Sequence, residues 1–427
     1  MEKQYVKSER AHFMCPNMHF SILVEINSTY SKKKVIDSLE LMSKAHPFLR
    51  SLIQYDAGST DLFYCISNKT QIDIYEKESA QTIWEDHKEI GKKEWNVFKN
   101  GLLKVFLYPS TQGFKALFTA HHLLGDGRCL LDLVCEFANV YSEGVEPVYV
   151  EENLIKGIDD LPSKSDLSGI SRLLVKSMNK KWKRENKKVT YEEYAEFAEQ
   201  FAKNNPVGVE SYLLDEAKVN SMKKLCKDNN ISINDLLMAA LYIEANTNKI
   251  IIAADIRNKL NCYIPGALGN YASAMGITCK DTSKDIIKKA KKVHRQVAAN
   301  IQNNRKLMLV LSCYLNMDAD LIDAAAIAAL GNFESKAAGF VGGSMFGYAK
   351  RNGISITNLG AINNVNIKKA IFIPPASPAA IQTTGVLTVN NNMQLCSSYY
   401  EKAISREYIK TQLERMEQII KTNVPAK

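Results

Sequence analysis

The sequence predicts an α/β protein of two lobes, and three observations carry that prediction. At 427 residues the chain exceeds one ordinary core and suits two bodies, each able to bury most of its apolar surface. β-rich runs alternate with stretches of helical apolar spacing along both halves. The second half repeats the plan of the first, and the composition changes between them.

The first lobe, residues 1–150, opens with a β-rich run from Phe20 to Ile26. Ser31 then stands as a helix N-cap before Val35, Ile36, Leu39 and Met42, and Pro47 ends the helix because it can neither donate to the ladder nor fit inside it. Two more runs, Leu102 to Tyr108 and Phe114 to Ala120, flank Ser110-Thr111-Gln112-Gly113 and predict a hairpin. Asp126 caps a following helix in which Leu130, Leu131, Val134, Phe137 and Tyr141 form the apolar stripe, and Gly144 sits at its C-terminal cap. Residues 151–205 form a basic, helical crossover with a capping-box pattern at Thr190 and Glu193. The second lobe, 206–427, starts with a β-rich run from Val207 to Leu214 and a helix to about Lys227. Ser232 and Asp235 open the apolar helix Leu236 to Ala245, and a strand from Ile250 to Ile256 ends at Arg257-Asn258. A strand from Gly353 runs through Thr357 and Asn358 into a turn at Gly360, and an amphipathic helix from Glu407 to about Lys421 closes the chain.

The chemistry concentrates in His121-His122-Leu123-Leu124-Gly125-Asp126-Gly127, at the junction between the hairpin's second strand and the capped helix. Successive strand residues face opposite ways, so only one histidine enters a given pocket. His122 shares a face with Ala120, Phe118, Ala116 and Phe114, whereas His121 shares one with Thr119, Leu117 and Lys115. An imidazole on the apolar side stays neutral near pH 7 and can take a proton from an attacking hydroxyl or amine, which suits acyl transfer. A metal site built on His122 and Asp126 lacks a third ligand, and the flanking glycines speak for a loop, so no metal is expected.

The seven-residue run resembles the His-His-x-x-x-Asp-Gly signature of the condensation-domain acyltransferase superfamily. That superfamily includes chloramphenicol acetyltransferase, peptide-synthetase condensation domains and alcohol acyltransferases. Ala45-His46-Pro47-Phe48-Leu49-Arg50, Asn100-Gly101-Leu102-Leu103-Lys104-Val105, Asp255-Ile256-Arg257, Leu268-Gly269-Asn270-Tyr271 and Thr357-Asn358-Leu359-Gly360 resemble further landmarks, in the expected order. The resemblance implies two α+β sandwich lobes of chloramphenicol-acetyltransferase type, set in a V, with a tunnel between them and the active histidine at its middle. It makes His122 the general base and gives His121 a supporting place in the loop. Asp126 would be structural, paired with Arg257, and Gly127 would permit the tight turn into the helix. Thr357 and Asn358 become candidates to hydrogen-bond an oxyanion or the substrate; Thr357 stands where the superfamily often has Ser. The implied activity moves an acyl group from a thioester, acyl-CoA or acyl-phosphopantetheine as co-substrate, to a small-molecule alcohol or amine, with no permanently bound cofactor. No adenylation segment or carrier domain is visible, so condensation chemistry would use a carrier protein in trans. A non-catalytic module that keeps the two-lobed shape is the alternative from another class.

Composition excludes more than it assigns. Hydrophobic residues make up 46% and charged residues 24%, as in ordinary globular proteins, and no apolar run reaches the ~20 residues of a membrane helix. The N-terminal stretch with Glu2, Lys3, Lys7, Glu9 and Arg10 has no apolar secretory core, which makes the cytoplasm the expected location. Nine cysteines without a Cys-x-x-Cys pair read as reduced thiols. Of the formal charge of +9, a net +7 lies between Arg172 and Lys188, where Leu174, Val175, Met178 and Trp182 form one helical stripe. That pattern reads as a packed helix with a solvated lysine face; attraction of an anionic donor is its functional alternative, and no aromatic interleaving points to nucleic acid. His46, His12 and His19 read as packing or turn residues, and Ala324 to Leu330 as a buried helix.

Overall fold

A computed structural model describes residues 3–423 apart from Gln112; that residue of the hairpin turn and Glu2 lie outside the described residues. In chain order the first part contains β1 (His19–Ile26), α1 (Lys32–Ala45), β2 (Ser51–Tyr55), β3 (Leu62–Ile66), β4 (Ile72–Glu76), α2 (Ile83–Lys92), β5 (Leu103–Ser110), β6 (Gly113–His121) and α3 (Gly127–Glu143). The crossover holds α4 (Gly169–Glu185) and α5 (Tyr191–Asn204). Then follow β7 (Val207–Leu214), α6 (Glu216–Asn229), α7 (Ile233–Glu244), β8 (Lys249–Asp255) and β9 (Ala272–Thr278). A helical stretch comprises α8 (Ile286–Gln302), α9 (Asn304–Leu307), α10 (Leu309–Asn316), α11 (Ala319–Leu330) and α12 (Lys336–Phe340). The chain finishes with β10 (Gly353–Ile362), β11 (Ile367–Ile373), β12 (Ala380–Val389), β13 (Asn392–Tyr400) and α13 (Arg406–Lys421).

Local chemistry explains the element ends. The Asp126 carboxylate accepts from the Cys129 N–H at 3.0 Å and opens α3, and Gly144, with φ at 72°, closes it in the left-handed region where a side chain would be strained. Ser31 caps α1. Thr190 with Glu193 and Ser232 with Asp235 form complete capping boxes on α5 and α7. Leu236 through Tyr242 are all buried, so α7 is an internal helix rather than a surface one.

The strands form two main sheets. The first runs β11-β1-β6-β5-β4 and the second β7-β13-β12-β10-β8-β9, with β2 and β3 as a separate hairpin. The antiparallel β1–β6 pairing places His19 opposite His121 and Phe20 opposite Ala120. One strand of the first sheet comes from chain far beyond residue 150: β11 pairs antiparallel with β1, Ser21 against Ile373 and Leu23 against Ile371. The lobe-to-segment correspondence is thus crossed by one strand. Where β11 meets the second sheet, a side chain on Gly385 would stand 2.7 Å from the Phe372 ring, so the bare glycine admits that ring between the sheets. Phe372 is buried and lies edge-on to Phe20 at 6.3 Å.

The stripe expected on the basic segment is realised on α4 through Val175, Met178 and Trp182, but Leu174 stands at the edge of exposure, one residue off the buried line. All nine cysteines are free thiols. Among the described residues no helix is long and apolar enough to cross a membrane, and no cluster of three or more His, Cys, Asp or Glu is disposed to hold a metal ion.

Because β11 joins the two sheets, its core ring carries stability for both. Phe372→Ala is expected to lower the unfolding free energy by about 3–5 kcal/mol in urea titration, whereas Val365→Ala, on the exposed turn before β11, changes it by less than about 0.5 kcal/mol.

Candidate functional site

β6 ends at His121, and a turn begins there, closed by the Leu124 N–H on the His121 carbonyl at 2.8 Å. The His122 N–H still reaches the Met18 carbonyl at 2.8 Å, so the ladder with the β1 side continues one residue past the strand. The two imidazoles therefore diverge. His121 lies on the side of Trp95, whose ring meets it edge-on at 5.8 Å, and its Nδ1 accepts from the Leu123 N–H at 3.2 Å. The His122 ring turns the other way, toward Phe20, edge-on at 5.0 Å.

His12 also meets His122, from a position where sequence reasoning saw only a packing residue. It sits at the end of a one-turn helix, Ser8–His12, and its ring stacks on that of His122 with centroids 4.2 Å apart and planes 12° from parallel. Asn270 Nδ2 lies 2.9 Å from His12 Nε2. The His122 Nδ1 is buried and without a protein partner. Burial pulls the His122 pKa below the ordinary imidazole value, with Asp126 acting against the shift. Burial also lowers His121 to about 3 and His12 well below the usual range, the neighbouring histidines adding to both shifts. These rings are neutral near pH 7.

Asp126 ties this loop to the second lobe. Its Oδ1 accepts from Arg257 Nη2 at 2.8 Å and from the Cys129 N–H, and its Oδ2 accepts from the Tyr271 N–H at 2.8 Å. Both members of the pair are buried. Arg257 also donates through Nη1 to Asp255 at 3.2 Å, and it lies over the Tyr263 and Tyr271 rings at 5.5 and 5.3 Å. The Asp126 N–H meets the Gly269 carbonyl at 3.2 Å. Gly127 is the first residue of α3 and has no positive φ, so the turn does not require its freedom. A Cβ there would stand 2.9 Å from Leu359 and 3.0 Å from Phe372; the glycine is needed for close approach. Gly125 serves the same purpose, since a Cβ would come within 2.5 Å of Cys129 Sγ and 2.8 Å of the Gly269 carbonyl.

His122, Asp126, Gly127 and Arg257 are thus assembled at the junction of the lobes. Thr357 and Asn358 lie half-buried in β10, and among the described residues no hydrogen bond or ring contact links either to His121 or His122. The Asn358 amide oxygen accepts from the Gly360 N–H at 2.8 Å at a register irregularity inside β10, which runs on to Ile362 where the sequence led us to expect a turn. Their strand reaches the loop through Leu359, which abuts Gly127 and takes the Arg128 guanidinium on its carbonyl. His46 is bound to Glu136 at 2.7 Å, away from the other histidines.

A small cavity of about 30 Å³ is lined by His121, and two larger ones lie nearby without touching residues 121–127. One of about 930 Å³ is lined by Asn17, His19, His87, Lys93 and Pro374, and His19 is the cross-strand neighbour of His121. The other, about 500 Å³, is lined by Cys129, Asp132, Arg257, Tyr263 and Leu268. His122 lines neither; it lies beneath His12.

Asp126→Ala is expected to lower stability by about 3–5 kcal/mol, because it strands the buried Arg257 and uncaps α3, and His122→Ala is expected to cost clearly less in the same denaturation series. The buried histidines also set a pH dependence. His19, His87 and His121 have folded pKa values depressed to about 4, 3 and 3, chiefly by burial. Below about pH 6.5 the unfolded chain therefore binds protons that the folded chain refuses, and these groups lose stability as pH falls from 6.5 toward 4. His87→Gln should flatten that slope by about 1.4 kcal/mol per pH unit, read from denaturation midpoints at pH 7, 6 and 5.

The sequence matches no known family model and no curated protein. Solved structures share its fold over nearly the whole chain. The condensation domain from Monacolin K polyketide synthase MokA superposes with a TM-score of 0.63 at 11% identity, covering 99% of this chain and 97% of that one. Polyketide synthase associated protein 5 from Mycobacterium tuberculosis does so with 0.61 at 14% identity, covering 100% and 98%. The epimerization domain from the third module of tyrocidine synthetase B gives 0.60 at 15% identity, covering 98% and 93%. At these identities the likeness is one of architecture, and the chain has the two-lobed condensation-domain fold.

Proposed function

We propose that this protein is an acyltransferase that moves an acyl group from a thioester to the hydroxyl of a small-molecule alcohol, with His122 as general base. Acyl-CoA is the proposed donor, with acyl-phosphopantetheine on a carrier protein as the variant supplied in trans. The observation that carries the reading is the neutral His122 at the lobe junction, on a loop whose acid is already committed to Arg257, Tyr271 and Cys129. With Asp126 so engaged, the histidine is the group in this loop that is available to accept a proton.

In the proposed reaction His122 takes the acceptor hydroxyl proton as that oxygen bonds to the thioester carbonyl carbon. The carbon–sulfur bond then breaks, its electron pair leaves with sulfur, and the imidazolium returns the proton to the thiolate. An ester and a free thiol result, and no covalent enzyme intermediate is needed. Thr357 and Asn358 are the proposed contacts for the developing oxyanion or the substrate, both in the middle of the strand that leans on Gly127.

Thiol release from a panel of acyl-CoA donors with alcohol and amine acceptors tests the proposal. The wild type should turn over, and His122→Ala should lower kcat by about 10²-fold or more. Because burial holds the His122 pKa below its ordinary value of about 6.5, the rate should be flat from pH 7 to 8 and fall only below about pH 6.5. Silence of the wild type across the panel, or full activity of His122→Ala, would sink the assignment.

A further inference from the structure

We propose that His12 is a positioning residue for His122, holding the plane of the base by ring stacking and excluding water from one of its faces. The inference rests on the catalytic reading of His122. General bases of this type need an orienting group, and a carboxylate on the second ring nitrogen is the usual one. Here that arrangement is missing, because the His122 Nδ1 has no protein partner and the Asp126 carboxylate serves Arg257, Tyr271 and the α3 cap. Backbone groups of its own turn, at His122 and Gly125, hydrogen-bond the imidazole, and two rings fix its plane: Phe20 on edge at 5.0 Å and His12 stacked at 4.2 Å with planes 12° apart.

His12 is itself held on both sides. The one-turn helix that carries it is pinned to α11 by Arg10, whose Nε donates to Asp323 at 2.8 Å in a buried ion pair, while Arg10 Nη1 reaches the Thr60 carbonyl at 2.8 Å. From the other side the second-lobe loop Leu268-Gly269-Asn270-Tyr271 grips both partners of the stack. The Asn270 side chain meets the His12 Nε2, and its backbone N–H serves the buried Glu9 carboxylate one turn earlier. The Gly269 carbonyl and the Tyr271 N–H hold Asp126, four residues after His122. A single loop therefore sets base and stacking ring against each other.

The test compares His12→Ala, which removes the ring, with His12→Phe, which keeps it. His12→Ala should lower kcat about tenfold while KM changes less than about twofold, and its kcat–pH profile should move to higher pH as water enters and the His122 pKa rises. His12→Phe should keep kcat within about threefold of the wild type. NMR titration of the His122 Cε1–H gives a readout independent of turnover: its midpoint should rise in His12→Ala and stay low in His12→Phe. An unchanged kcat and titration in His12→Ala would overturn the proposal, as would an equal loss of kcat in the two folded variants, with circular dichroism confirming folding. If His122→Ala keeps wild-type turnover or the wild type is silent, the catalytic reading fails, and the NMR titration alone then decides whether His12 holds the ring.

Discussion

The buried Asp126–Arg257 pair is the interaction on which the rest of the site depends. Taking both charges out of water costs several kcal/mol per ion, so the pair stands only because its remaining valences are met. Three donors serve the carboxylate, and Asp255 with two tyrosine rings supports the guanidinium. The same carboxylate caps α3, so a helix of the first lobe cannot shift without disturbing a contact to the second. Lobe docking and loop geometry are in this way one constraint, and the position of His122 follows from it.

Burial does the electrostatic work on the histidines. His12, His19, His87, His121 and His122 all have lowered pKa values, and for each the largest cause is loss of water rather than a charged neighbour. The strand register distributes them. His19 and His121 are cross-strand neighbours on one side, where His87 hydrogen-bonds Ser21 and the larger cavity opens, whereas His122 joins Phe20 and His12 on the other. A ladder contact continued by one residue past the end of β6 is enough to assign the adjacent imidazoles to different surroundings.

The architecture reaches the site through β11. This strand completes the first sheet beside β1 and carries Phe372 between the sheets, against Phe20, Gly127 and Gly385. Phe20 in turn meets His122. Packing in the inter-sheet core is thereby transmitted to His122 through two rings, and the absence of side chains at Gly127 and Gly385 is what permits the approach.

The sequence by itself determined the elements whose causes are local. Caps at Ser31, Asp126, Thr190 and Ser232, the β5–β6 hairpin, the α3 stripe and the placement of the histidine run between strand and helix all follow from residues within a few positions of one another. The resemblance of the seven-residue run added the chloramphenicol-acetyltransferase type of the two lobes. Unread were β2, β3, β4, β9 and the strands β11 to β13, although Ile367–Ile373 and Ala380–Val389 are β-branched runs that carry a strand signal. No periodicity could tell that β11 would join the first sheet, since its partner β1 lies over 300 residues earlier. The stacking of His12 on His122, its link to Asn270 and the clearance required at Gly127 were decided only by tertiary structure. Caps and stripes depend on neighbours along the chain, whereas these contacts depend on which surfaces the packed lobes bring together.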